Sequence, residues 1–270
     1  MEHLVDSHCH IQAIGVGSAS DHTSELWTKL GLSADQVIER AHGEGVNTLI
    51  CVGCDLEDSA RATAFVKHRT GCFASIGIHP HEASRYCRDE QKKDAFAGLI
   101  GQAKVVAIGE CGLDYFYNYS DPVDQEAILR FQLELAIEHQ LPVIFHVREA
   151  FSDFWPIFDQ YKGVRGVLHS FSDNQKELDR AIERGLFLGV NGIASFTKDP
   201  LQLAMYKSIP NSRLLLETDS PYLTPVPYRG SINEPKYVRT IVNCLSDLRG
   251  EGSDELAKTT SANAHLLFAL

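Results

Sequence analysis

No apolar run in this sequence approaches the ~20 residues that span a bilayer as a helix, so a membrane-embedded role is not expected. The start of the chain also lacks a basic segment followed by an apolar one. Met1-Glu2-His3-Leu4-Val5-Asp6 is acidic and runs straight into a strand pattern, which points to a cytoplasmic protein without a secretory leader. Positive charge is scarce: 25 Lys and Arg stand against 36 Asp and Glu, a formal net charge of −11. That leaves no basic stripe of the kind that grips long duplex DNA. A polyanionic substrate must then be held locally, by metal ions and a few Arg, Lys or His. The 7 cysteines are odd in number and too scattered for a disulfide scaffold. Cys51-Val52-Gly53-Cys54 has no second pair at zinc-site spacing, so buried structural thiols in a reducing compartment are expected. Internal repeats, low-complexity tracts and Pro/Gly-rich linkers are missing too, and residues 1–270 are expected to form a single domain.

What is present is an alternation of short β-branched runs with longer helical patterns. The strand candidates are Leu4–His8, Val46–Val52, Cys72–Ile78, Val105–Ile108, Pro142–His146, Gly166–His169, Leu186–Val190 and Arg213–Glu217. Each is near-continuously apolar, as parallel strands buried on both faces are. Between them, Ser33-Ala34-Asp35-Gln36 is a capping box ahead of Val37, Ile38 and Ala41. Asp121-Pro122 is an N-cap with Pro at the first helical position. It opens a long helix whose apolar face is read as Ala127, Ile128, Phe131 and Leu135. Eight such alternations predict a (β/α)8 TIM-like barrel, with a doubly wound sheet as the alternative. The polar stretch Gln12 to Gly31 reads as a long loop or a short insertion.

The chemistry-bearing residues fall at the ends of these strands. In Asp6-Ser7-His8-Cys9-His10, residues two apart share a face of the strand, so His8 and His10 form half of a metal site and Asp6 orients a histidine. His79, Glu110, His146, His169 and Asp219 follow or end later strands, all on the rim where barrels carry their active sites. Six nitrogen and carboxylate ligands are too many for one tetrahedral ion and suit two divalent ions. The expected assignment is His8, His10 and Asp219 to one ion, His146 and His169 to the other, and Glu110 to both. Glu110 and Asp219 are the catalytic candidates, Asp219 as acceptor of a proton from the attacking water. Arg148, two residues beyond His146, suits a bidentate grip on phosphate, and His79 is a second substrate-binding candidate. His81 reads as a turn residue. His3, His22, His42, His68, His139 and His265 lie in helical or loop stretches and receive no role.

The motifs Asp6-Ser7-His8-Cys9-His10, Gly77-Ile78-His79-Pro80-His81, Gly109-Glu110-Cys111-Gly112-Leu113-Asp114, His146-Val147-Arg148, His169-Ser170-Phe171-Ser172 and Glu217-Thr218-Asp219-Ser220-Pro221 resemble those of the TatD family of metal-dependent hydrolases, a branch of the amidohydrolase-like barrels. The resemblance covers nearly the whole chain. It implies a TIM-like barrel, two divalent ions (Mg, Mn or Zn), and hydrolysis of DNA phosphodiester bonds, often from the 3′ end. The family's ligand positions map onto His8, His10, Glu110, His146, His169 and Asp219. Two departures stand out: the longer stretch Gln12 to Gly31, and Asp173 where a Gly is common.

The expected substrate is therefore single-stranded DNA or DNA ends, handled by an enzyme taken to act as a monomer. One alternative is a hydrolase of the same fold acting on an ester, lactone, amide or aminoacyl-nucleotide bond. The other is a metal-binding barrel without catalysis, which the intact ligand set disfavours.

Overall fold

The eight apolar runs become eight strands: β1 (Leu4–Cys9), β2 (Val46–Val52), β3 (Cys72–Ile76), β4 (Val105–Asp114), β5 (Val143–Arg148), β6 (Gly166–Leu168), β7 (Phe187–Val190) and β8 (Leu214–Leu216). The computed structural model describes residues 3–16, 22–117 and 119–270. The strands lie in one sheet in the order β1 to β8. With helices on the connections between them, this is the (β/α)8 topology. Among the described residues no helix is long and apolar enough to cross a membrane, and the 7 cysteines are all free thiols.

By its internal packing the chain divides into two compact units. The first comprises Met1–Cys51, Ser170–Leu266 and Leu270. Here β1 pairs in parallel with β2, and β7 with β8. The segment after β8 returns to β1: the Asp219 N–H donates to the His8 carbonyl at 2.8 Å, and the His10 N–H to Ser220 at 2.9 Å. The buried carboxyl of Asp6 ties the same junction, bonding the Thr218 N–H at 2.8 Å and the Thr218 hydroxyl at 2.6 Å. Asp6 therefore braces the turn that carries Asp219, and burial pushes its pKa up to about 8 against the pull of those bonds.

The stretch Gln12 to Gly31 departs from the loop expected there. Ile11–Ala13 is a 3-10 turn and His22–Leu30 an α-helix, while residues 17–21 lie outside those described. One aromatic anchors this polar helix. Trp27 is fully buried and donates its indole N–H to the His10 carbonyl at 3.0 Å, and the Ser24 hydroxyl donates to Ala13 at 3.2 Å. With so few apolar anchors, the helical period is hidden in the sequence.

The second unit comprises Val52–His169 and Leu267–Ala269. Its strands β3, β4, β5 and β6 pair in parallel in that order. Strand β4 runs six residues beyond its expected end at Ile108, so Glu110 lies within it rather than after it. The β4–β5 register shifts between Ile108 and Cys111. Glycine permits the close approach that follows: a Cβ at Gly112 would overlap the His146 carbonyl oxygen, and one at Gly77 would overlap the Glu110 backbone.

The long helix Pro122–Glu138 buries Ile128 and Leu135 of its expected apolar face, but the buried face is wider and turned relative to that reading. Ala127 is exposed, whereas Gln125 and Gln132 are buried beside Ile128, Leu129, Leu135 and Ala136. Both glutamines serve the strand ends. Gln132 accepts from the Ile78 N–H at 2.8 Å and donates to the Ile78 carbonyl at 3.0 Å. Gln125 does the same for Asp114, at 2.8 and 3.0 Å. Each amide satisfies backbone groups that would otherwise be buried without partners.

Candidate metal centre

In the first unit, strand alternation directs His8 and His10 the same way. Their Nε2 atoms lie 3.3 Å apart, and Asp219 Oδ1 is 3.7 Å from the first and 3.4 Å from the second. Asp219 adopts a left-handed backbone conformation, φ +57°, which Asp tolerates better than most residues. The two bonds from Asp6 to Thr218 and the bond from the Asn233 amide to the Thr218 carbonyl at 2.9 Å hold it there. Two imidazole nitrogens and a carboxylate oxygen thus converge within 4 Å. A neutral imidazole has only one N–H, so such a cluster concentrates lone pairs, and a cation at the point of convergence relieves that. The three residues fit a divalent ion.

The second unit builds its cluster around one oxygen. Glu110 Oε1 lies 2.7 Å from His146 Nδ1, 3.5 Å from His79 Nε2 and 3.5 Å from His169 Nε2. Glu110 is 4% exposed, and His169 is also buried. Burial pulls the pKa of His79 down to about 4 against the opposing pull of Glu110; its imidazole is therefore neutral at pH 7, with Nδ1 accepting the His81 N–H at 3.1 Å and Nε2 carrying the proton. For His146, burial works in the same downward direction, but bonds to Asp114 and Glu110 outweigh it and the net shift is upward. A carboxylate behind a ligand imidazole raises its basicity in this way. The Cys54 thiol, 3.9 Å from Glu110 Oε2 and only half-buried, belongs to the same neighbourhood. Cys54 is therefore not among the buried thiols expected.

Two members of this site escaped the sequence reading. Asp114, 1% exposed, directs Oδ2 at His146 Nε2 (3.0 Å) and at His81 Nε2 (2.9 Å). Its Oδ1 accepts the Phe116 and Tyr117 N–H groups at 2.9 and 3.0 Å. Burial alone would raise its pKa, yet the bonds to His146, His81 and Tyr117 hold it well below the ordinary 3.8. His81 lies in the 3-10 turn Pro80–Arg85, as the reading of a turn residue expects, but its ring also joins the site. Arg148 ends β5 on the exposed side, its guanidinium carbon 3.9 Å from the centroid of the Phe116 ring and 5.0 Å from that of Tyr117. Its guanidinium lies over aromatic rings, a stacking that a planar guanidinium supports while its N–H edge stays usable for a hydrogen bond.

A (β/α)8 fold with histidine and carboxylate donors able to hold divalent ions, clustered at strand ends, defines the class: a metal hydrolase barrel. A family model for TatD-related DNases matches residues 5–269, and the chain belongs to that family. It is 39% identical over 241 residues to the 3′-5′ ssDNA/RNA exonuclease TatD of Cronobacter sakazakii, covering 87% of this chain and 91% of that protein. It is 38% identical to the protein of the same name from Citrobacter rodentium, covering 87% and 92%. Among solved structures it is similar to a TatD homologue from Escherichia coli K12, with a TM-score of 0.86 at 26% identity and coverage of 99% and 98%.

Proposed function

We propose that the protein is a metal-dependent exonuclease that hydrolyses phosphodiester bonds of single-stranded DNA or RNA from the 3′ end, with residues 5–269 acting as one functional unit. The observation that carries this reading is the convergence of three imidazoles on Glu110 Oε1. The names of relatives at 38 and 39% identity point the same way.

In this reading His8, His10 and Asp219 hold one divalent ion, and Glu110, His146 and His169 hold a second; Mg, Mn and Zn all suit such donors. Bound divalent ions lower the pKa of water and polarise the phosphoryl oxygen. The chain's own groups do the rest. Asp219 would accept the proton as a water oxygen bonds to phosphorus, and would return it to the leaving sugar oxygen, directly or through solvent, as that bond breaks. His79 and Arg148 contact phosphate oxygens. Asp114, braced by Gln125, fixes the ring of His146 so that Nδ1 faces Glu110.

The test is direct. The purified protein, with Mg, Mn or Zn or with a chelator, is given single strands labelled at either end. Shortening from the 3′ end that the chelator abolishes is the expected result. Intact strands under every metal, together with turnover of an ester or lactone panel, would overturn the proposal.

A further inference from the structure

Four residues beyond Glu110, strand β4 ends in a run of aromatics that the metal chemistry does not use. Phe116, Tyr117 and Tyr119 are 48, 38 and 68% exposed. Three large rings left in water within four residues are a costly surface unless they meet a ligand. They are also ordered against one another. Tyr117 and Tyr119 stack at 5.5 Å between centroids with only 19° between their planes. Phe116 meets Tyr117 edge to face at 4.7 Å. His81 packs against Tyr119 at 4.8 Å and Tyr117 at 5.4 Å, and the Arg148 guanidinium covers Phe116.

Buried polar groups fix the backbone at Phe116, Tyr117 and Ser120. Asp114 Oδ1 accepts the N–H groups of Phe116 and Tyr117, while its other oxygen holds His81 and the candidate ligand His146. Gln125 donates to the carbonyls of Asp114 and Ser120, both at 3.0 Å, and the Ser120 hydroxyl donates to the His81 carbonyl at 2.7 Å. One carboxylate therefore joins the aromatic run to the Glu110 cluster.

We propose that Phe116, Tyr117, Tyr119 and Arg148 form a stacking platform for the unpaired bases of a nucleic-acid strand whose phosphate lies at the Glu110 cluster. The proposal deepens the exonuclease reading and rests on it. A π-face recognises any unpaired base and rejects a paired one, whose faces are already stacked, so the platform selects single strands without reading sequence. It also answers the charge problem. A chain of net charge −11 gains little from long runs of phosphate contacts, whereas stacking requires none and is insensitive to salt. Arg148 contributes twice, its face on Phe116 and its N–H fork toward a phosphate.

Binding is read by fluorescence anisotropy under chelator, so that nothing is cleaved. The probes are a labelled single-stranded oligonucleotide, the same length of abasic sugar-phosphate chain, and a blunt duplex. Wild type is expected to prefer the base-bearing strand to both others. Tyr119→Ala weakens that strand on the order of tenfold and leaves the abasic chain where it was, while Tyr119→Phe, which keeps the ring, restores binding. Equal affinity of wild type for the base-bearing and abasic strands, or Tyr119→Ala weakening both alike, overturns the platform. Hydrolysis by the wild type is scored separately on a base-free aryl phosphodiester with metal. Hydrolysis without base preference sinks the platform and spares the exonuclease. Base preference without hydrolysis does the reverse, leaving a single-strand binding surface.

Discussion

Removing the Asp114 carboxylate perturbs a group that joins two imidazoles and two backbone N–H groups. Asp114→Ala leaves two backbone N–H groups and two imidazoles facing a buried gap. Breaking a buried charged network by removing one partner costs about 3–5 kcal/mol. Asp114→Asn keeps an oxygen for the Phe116 and Tyr117 amides and an amide nitrogen for the rings, so only the charge assistance is lost, about 1–2 kcal/mol. For a chain of this size each kcal/mol lowers Tm by about 2–4 °C, so the two variants separate cleanly in calorimetry.

The pH dependence has a definite sign in metal-free protein. The Asp114 pKa is lowered on folding from an ordinary 3.8, so its contribution is present above that value and lost as pH falls through the depressed one. The His146 pKa is raised from an ordinary 6.5, so its contribution is present below 6.5 and lost as pH rises through the elevated value. The penalty of Asp114→Ala is therefore greatest between about pH 4 and 6.5 and narrows on either side. Metal affinity falls about 10–100-fold as His146 loses its orienting partner. A variant that melts within about 2 °C of wild type, with metal binding unchanged, would show that this carboxylate holds nothing together.

Glu110→Ala is expected to lose metal from its cluster and to lower activity by more than about a hundredfold, since a ligand matters at least as much as the groups behind it; activity within tenfold of wild type at unchanged circular dichroism would remove Glu110 from the mechanism. Gln132→Leu strands the Ile78 N–H and carbonyl and is expected to cost about 1–3 kcal/mol for each unsatisfied group, measured by urea unfolding; a midpoint equal to wild type would refute that role. Gly112→Ala forces a methyl into the His146 carbonyl, and a loss of about 1–3 kcal/mol together with weakened metal binding is expected; full metal affinity in a stable variant would mean the β4–β5 approach is looser than described.

What could be read from the sequence was whatever local physics fixes. Most strands announced themselves as near-continuous apolar runs because both faces are buried, and β1 with His8 and His10 because a strand alternates its faces. What could not be read depends on residues meeting across distance. Asp114 and His81 are 33 positions apart and joined by one hydrogen bond, and nothing in Ile78-His79-Pro80-His81 separates a ring that turns inward from one that caps a turn. The buried glutamines misled in the opposite direction. Gln125 and Gln132 look like a solvent-facing side of their helix, yet they lie inward because the ends of β3 and β4 need partners. Arg148 was legible as a residue at the end of β5, but the rings it lies on follow a different strand. The same logic explains why the candidate ligands were easier to pick out than the groups that orient them. A ligand set must sit at strand ends, where its pattern repeats with every strand, whereas an orienting residue needs only to reach its ligand, and many positions along a neighbouring strand can do that.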